Sequence, residues 1–373
     1  MWGRKRDLFI SLTGITLLGS LPLGMPGMPF SLRERILLFT VNALTCAVSW
    51  WSFQHIFRDR AAGMICAMLY TLSIHRLYLL YGKNEVREAL SMLFLPLAVC
   101  ALHDIYTEKN RKKRRLFWGI LFFAVTAALQ TYMLAGVLAG LAVCTVFLLL
   151  RRTSFSREVL PELLFSVTAA ILCNIRQIQK GIEAVKINVG LFEDMPDRMI
   201  QSRGLYPAQL FLSFFEKGEG HNYVEKGLTE VEAIGIGMAL MLPLCIFVFL
   251  RLAGAAGSGR ESLSIRIGNI AAVVGSGALI LSLSVFPWTE IQSVHRYAGA
   301  AIAMLQSPEH FLIIATAALA TVAGAVWMWI NAMDNPKIRN AYAILTVLSA
   351  AGTAVYYLGS VCSGLEIFGG YPV

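Results

Sequence analysis

Apolar residues in this chain come in long unbroken runs. They occupy residues 36–57, 61–80, 86–106, 116–133, 134–150, 162–175, 231–250, 267–286, 311–330 and 341–358. Most approach or exceed the ~18 residues at which a nearly charge-free segment is read as a membrane-crossing helix. An earlier run, 8–24, follows GRKR and is only about 17 residues long, marginal for the hydrocarbon core. GMPGMPF (24–30) then breaks any helix. This first run reads as a signal anchor, a short span or an element lying along the membrane face. The pattern predicts an all-α fold, a polytopic helical membrane bundle of about ten transmembrane helices, or eleven with the first run. There is no internal repeat, heptad run or low-complexity linker. Residues 1–373 therefore read as one integral membrane domain, with the long polar stretch 176–230 as a loop region within it.

Composition removes the soluble alternative. The chain is 57% hydrophobic and 15% charged, with a mean hydropathy of +0.63, whereas soluble domains carry about 25% charged residues. The net charge of +9 comes from clusters between the apolar runs, such as KNRKKRR (109–115) and Arg151-Arg152. That placement is the topology signal of cationic cytoplasmic loops and of contact with anionic membrane lipids, so no nucleic-acid partner is expected. Threaded to keep those clusters cytoplasmic, the chain places 176–230 and the C-terminal tail 359–373, which has no Lys or Arg, on the extracytoplasmic side. The seven cysteines are scattered without a CxxC pair and read as small packing residues. GVLAG (136–140) and GSG (275–277) predict close helix approach. Trp50, Trp51, Trp118, Trp288, Trp327 and Trp329 fall near run ends, as interfacial anchors do.

Candidate chemistry concentrates in the stretch 75–97, HRLYLLYGKNEVREALSMLFLPL, where Lys83, Glu85, Arg87 and Glu88 separate two apolar runs. Charges there are costly unless they face water or one another. The stretch reads either as a polar site at the membrane surface or as a solvated turn. The same threading gathers His75, Arg76, Gln130, Thr131, Tyr132, Glu193, Asp194, Asp197, Arg198, His295 and Arg296 on that side. An acid among them can serve as a general base, and Arg or Lys can hold phosphate. Each alone also reads as a helix cap, a snorkelling anchor or a loop charge. Glu88, in the first turn of a run, has a sufficient structural reason in the helix dipole. Asp194 and Asp197 flank Pro196, which leaves their relative direction open, and no metal is assigned there. HExxH, P-loop, GxSxG and Cys/His ligand spacings are all missing, which excludes nucleotide and zinc enzymes of the soluble type. No cofactor is expected, and dependence on a divalent metal stays open.

NALTCAVSWWSFQHIF (42–57), MLYTLSIHRLYLLYGKNEVREALSMLFLPL (68–97), SVFPW (284–288) and LQSPEHFL (305–312) resemble, in order, the landmarks of YfhO-like bacterial membrane proteins. These are similar to the GT-C superfamily of polytopic glycosyltransferases, which use polyprenyl-phosphate-linked sugars. The resemblance runs from about residue 8 to residue 328. The family's Tyr-x-Arg-x-x-x-Gly-Glu hairpin falls on Tyr81, Lys83 and Glu88, with Arg87 in place of the glycine, and its Phe-Leu-Pro-Leu falls on residues 94–97. Its Ser-His pair falls on Gln130-Thr131, without the histidine. Its Gln-Phe-Pro-Trp-Arg-Phe falls on residues 306–311, where Glu309 and His310 replace Trp and Arg. The acid of the family's long first outer loop has no counterpart, since only Asp7 and Glu34 are available. The resemblance then implies either an N-terminally truncated gene product or a non-catalytic role.

What the resemblance implies is a multi-pass protein of a bacterial cytoplasmic membrane. It would transfer a sugar from a polyprenyl-phosphate donor on the outer face, in cell-envelope glycosylation. Glu88 would be the surviving catalytic carboxylate, and Arg76, Lys83, Arg87 and Gln130 the phosphate- or substrate-binding residues. A transporter or flippase, and a non-catalytic envelope-assembly protein, are the alternatives. A lateral cavity lined by Glu88 and Lys83 would favour sugar transfer, a two-sided central pathway transport, and a filled bundle assembly.

Overall fold

The computed structural model describes residues 31–108, 110–154, 168–170, 172–192, 199–213, 215–216, 233–253, 263–333, 335–362 and 366–367. The run 8–24, most of the run 162–175, and Glu193, Asp194, Asp197 and Arg198 lie outside them. Helix α1 (Leu32–Phe57) opens on a capping box in which the Glu34 carboxylate accepts from the Ser31 N–H at 2.7 Å. It stops where Arg58 turns left-handed, φ 53°. Asp59 then starts α2 (Arg60–Thr71) by accepting from the Ala62 N–H at 2.7 Å.

The run 61–80 is not one straight helix. After Thr71 the chain resumes as α3 (Ile74–Leu77), which widens into a π turn (Tyr78–Gly82), and the two halves are bent by 48°. The Ser73 hydroxyl donates to the Tyr70 carbonyl at 3.0 Å, local bonding that competes with the helix ladder. The next run is divided as well, into α4 (Val86–Ser91) and α5 (Phe94–Thr107). Pro96 has no N–H to give the Met92 carbonyl. That carbonyl accepts instead from the Tyr70 hydroxyl at 2.5 Å and from the Leu95 N–H at 3.2 Å.

The remaining helices are α6 (Arg111–Thr131), α7 (Met133–Ser154), α8 (Ile175–Phe192), α9 (Met238–Leu252), α10 (Leu263–Ser282), α11 (Trp288–Val294), α12 (Arg296–Ala303), α13 (Leu312–Ala332) and α14 (Pro336–Cys362). Helix α13 is entered through the 3-10 turn Pro308–Phe311. Strand pairing among the described residues amounts to one antiparallel ladder, β1 (Phe215–Glu216) with β2 (Glu366–Ile367), and one isolated parallel bridge between Leu205 and Leu283. The fold is an all-α bundle.

Among the described residues, five helices are long and apolar enough to cross a membrane, or six if the bent pair counts as one. That is fewer than the ten runs suggest, for identifiable reasons. Helix α6 spends its first turn on Arg111–Arg115, and α9 is 15 residues long with Pro243 inside it. Part of the stretch read as an outer loop is also helical: α8 packs against α12.

Helix α13 is the axis of the bundle, buried nearly all round and packed on α10, α2 and α9. Gly324 admits this approach, since a Cβ there would sit 2.6 Å from Cys66 Sγ and closer still to the Phe57 ring. Gly275 likewise meets Leu319 of α13 at 3.1 Å, whereas Gly140 and Gly277 face open space. Of the glycine motifs, one residue of each pair is therefore a contact position. Outer helices turn large apolar side chains outward, among them Phe249, Leu252, Val273, Leu348 and Val355. An apolar shell around an already buried axis is the arrangement a bilayer rewards. Several of the described helices could thus span a membrane, as a multi-pass protein requires.

The helices also define two ends. Arg58 and Asp59 meet the far end of α13, where the Trp327 indole donates to Asp59 Oδ1 at 3.1 Å. The basic segments that start α6 and α14, the one that precedes α2, and Arg251 in the last turn of α9 lie at this basic end. The turn between α3 and α4 and the start of α13 lie at the other.

Candidate functional site

At the end opposite the basic clusters, two short backbone devices bring acids and bases together. Asn84 adopts a left-handed conformation, φ 54°, which reverses the chain after the π turn and sets Glu88 in the first turn of α4. Across from it, Ser307 accepts from the Glu309 N–H at 3.3 Å and caps the 3-10 turn that carries Glu309 and His310. These two segments are more than two hundred residues apart in sequence and meet face to face.

His310 Nδ1 lies 2.8 Å from Glu88 Oε1, with Glu88 fully buried and His310 2% exposed. Lys83 Nζ bridges Glu309 Oε1 at 3.2 Å and Glu85 Oε1 at 3.5 Å. Lysine thus lies between two carboxylates, and imidazole against a third. Burial, and next the neighbouring Glu88 carboxylate, raise the Glu85 carboxyl above its ordinary range, while Lys83 opposes the shift. His75 completes the group: Glu88, His310 and Lys83 are the charged groups acting on it. Both of its ring nitrogens are buried without a hydrogen-bond partner among the described residues, and the Glu88 carboxylate also accepts from the Glu85 carboxyl when that group holds its proton. Such unpaired buried groups are costly and are characteristic of sites that exchange protons or ligands.

The residues singled out from sequence part company here. Glu88 and Lys83 belong to the cluster. Arg76 does not: its guanidinium is fully buried on the far side of α3, donating to Asn42 Oδ1 at 2.6 Å, Thr45 Oγ1 at 2.8 Å and the carbonyls of Thr71 and Val41 at 3.3 Å. Asn42 in turn donates to the Tyr81 hydroxyl at 2.8 Å. Arg76 and Tyr81 tie α1 to α3, so the geometry gives Arg76 to packing and its phosphate-holding role loses its ground. Arg87 and Gln130 stand exposed. From the Gln130-Thr131-Tyr132 corner it is Tyr132 that reaches inward, its ring centroid 6.0 Å from that of His310. His295 and Arg296 are exposed at the α11–α12 junction, where Arg296 lies over the Tyr297 ring. Glu309 and His310, seen in the sequence only as replacements in a family motif, are the partners that define the site. Their signal was available: two titratable residues opening the most apolar run of the chain.

A separate feature is a cavity of about 310 Å³ between α5, α7, α10 and α13, lined almost wholly by apolar side chains from Leu95 to Val146 and from Ile267 to Ala318. His103, Tyr106 and Arg266 stand at its basic end. Its other end, at Leu95 and Ile314, lies about two helical turns along the chain from Glu88 and about one from His310. Neither Glu88 nor Lys83 lines it. Compared with family models, curated proteins and solved structures, the chain matches none of them.

Proposed function

We propose that this chain is a multi-pass membrane protein that takes up the hydrocarbon chain of a lipid-linked substrate, and that the substrate is the polyprenyl-phosphate-linked sugar implied by the GT-C resemblance. The cavity carries the lipid-chain part of this reading, with Glu88 and Lys83 beyond its Ile314 end and not in its lining. It is of ligand size, apolar along about 16 Å of α5, and set among membrane-type helices. Glu88 then acts as the base that takes the acceptor hydroxyl proton, with His310 holding its carboxylate and Lys83 beside the leaving phosphate. The acceptor oxygen bonds to the anomeric carbon as the bond from that carbon to the phosphate oxygen breaks, and polyprenyl phosphate leaves with the electron pair.

A second reading has its own observation. Glu88 is fully buried and engaged, so catalysis requires the 83–85 turn to swing away, whereas a non-catalytic assembly role requires no motion. Both are tested in nanodiscs with a photoreactive polyprenyl-phosphate sugar. Labelling is expected on α5, α7 and α13. Ala139→Phe with Ala317→Phe should weaken it about tenfold, the factor given by ~1.4 kcal/mol of lost binding. Unchanged labelling in that variant would sink the lipid-linked reading. Turnover in the parent that vanishes in Glu88→Gln supports transfer, whereas labelling without turnover in either supports the assembly role.

A further inference from the structure

We propose that His55, Cys100 and Asp104 form a binding site for one divalent transition-metal ion of the zinc type, at the basic end of the bundle. One ligand atom from each residue lies within 4.8 Å of the others. Cys100 and Asp104 are one helical turn apart on α5 and therefore share a face. His55 comes from the last turn of α1, which packs alongside α5, and its Nε2 lies 2.8 Å from Asp104 Oδ2.

The set is more than an ion pair with a thiol nearby, because each ligand is held from behind. His103 Nδ1 lies 3.0 Å from Asp104 Oδ1, so that oxygen is occupied and Oδ2 is turned toward His55 and Cys100. The Trp51 ring stacks on His55 with centroids 5.8 Å apart and an interplanar angle of 24°, fixing the imidazole plane. Hydrogen-bonded carboxylates and oriented imidazoles are the supporting features that bound metals exploit. Cys100 and Asp104 are buried while His55 is half-exposed, giving a rigid inner wall and an entry from the surface. Thiolate, carboxylate and neutral imidazole carry two negative charges together, matching a divalent ion in a poorly solvated place. Mixed sulfur, nitrogen and oxygen donors suit zinc or cobalt and not magnesium or calcium. Closing the three ligand atoms onto a zinc ion requires movements of about 1 Å, within side-chain reach.

The test uses the full chain in detergent, stripped with chelator, in a Cys173→Ser and Cys245→Ser background that removes two exposed thiols. Cobalt(II) titration should give thiolate-to-cobalt charge transfer and tetrahedral ligand-field bands at one ion per chain, displaced by zinc and unaffected by magnesium. Cys100→Ser should abolish the charge transfer. His103→Ala should keep the bands while weakening affinity about 10- to 100-fold. His55→Ala, at a half-exposed position, is the variant that separates lost ligation from lost folding: it should unfold like the parent and bind cobalt weakly. The proposal is overturned if the parent shows no charge transfer, or if the band survives in Cys100→Ser.

Discussion

The chemistry of single residues separates structural charge from chemical charge in this molecule. Arg76 and Glu88 are equally buried and look alike in sequence, but Arg76 is held by neutral acceptors, Asn42, Thr45 and two backbone carbonyls, while Glu88 meets the ionisable groups His310 and Glu85. Arg76→Met should therefore leave Asn42 and Thr45 short of a partner and lower stability by about 1–3 kcal/mol, read from thermal unfolding in detergent. Arg87→Met, at an exposed position, should leave the same melting profile within error. Glu85 gives a pH signature. Its folded-state carboxyl is raised, so the folded form holds the proton more tightly than the unfolded form. Its contribution to stability is complete below the ordinary carboxyl range and is lost as pH rises through the raised value. Glu85→Gln should flatten the stability profile across that window, and a Gln variant that loses stability with pH as the parent does would exclude Glu85 as the source.

Among the elements, the run lengths predicted where helices lie, but not where they bend. The boundaries of α1 were legible because Ser31, Glu34 and the Arg58-Asp59 corner are local signals acting over a few residues. The bend at residues 72–73 was not, since Leu72 and Ser73 are neither proline nor glycine, and the hydroxyl bond to Tyr70 that favours it is silent in a hydropathy pattern. The division of α4 from α5 was half legible. Pro96 marks it, but the Tyr70 hydroxyl that satisfies the orphaned Met92 carbonyl comes from another helix. The Glu88–His310 pair was illegible for the same reason: it exists only because α4 and α13 meet. Close packing on α13 is testable through its glycine. Gly324→Leu drives a side chain into Phe57 and Cys66 and should cost about 1–3 kcal/mol. Gly277→Ala, with nothing within 4 Å, should cost little or raise stability slightly through helix propensity. Equal losses at both positions, read as shifts in melting temperature, would mean that α13 does not meet Phe57 of α1 and Cys66 of α2 as described.

For the whole molecule, the polar groups are sorted to two ends, and the sorting links the site, the cavity and the metal proposal. Glu88, His310 and Lys83 occupy one end, and His55, Cys100 and Asp104 the other, with the apolar cavity between α5 and α13 running from near the first toward the second. An amphiphile lying in that cavity has one end near Ile314 and the other near Arg266 and His103. Which end receives its head group depends on which leaflet it enters from, and so on the orientation of the chain. The positive-inside bias predicts the cytoplasmic side for the end with the excess of Lys and Arg, which is the orientation the proposed function needs. Single cysteines at Asn84, in the turn before α4, and at Lys337, in the first turn of α14, both exposed and at opposite ends, report this directly in a background whose native cysteines are replaced. An impermeant thiol reagent applied outside intact cells should label Asn84→Cys and leave Lys337→Cys unlabelled until the membrane is opened. The reverse pattern would turn the Glu88 end toward the cytosol, where an outer-face sugar donor cannot reach it. Labelling of both from outside would mean that the bundle does not cross the membrane as one body.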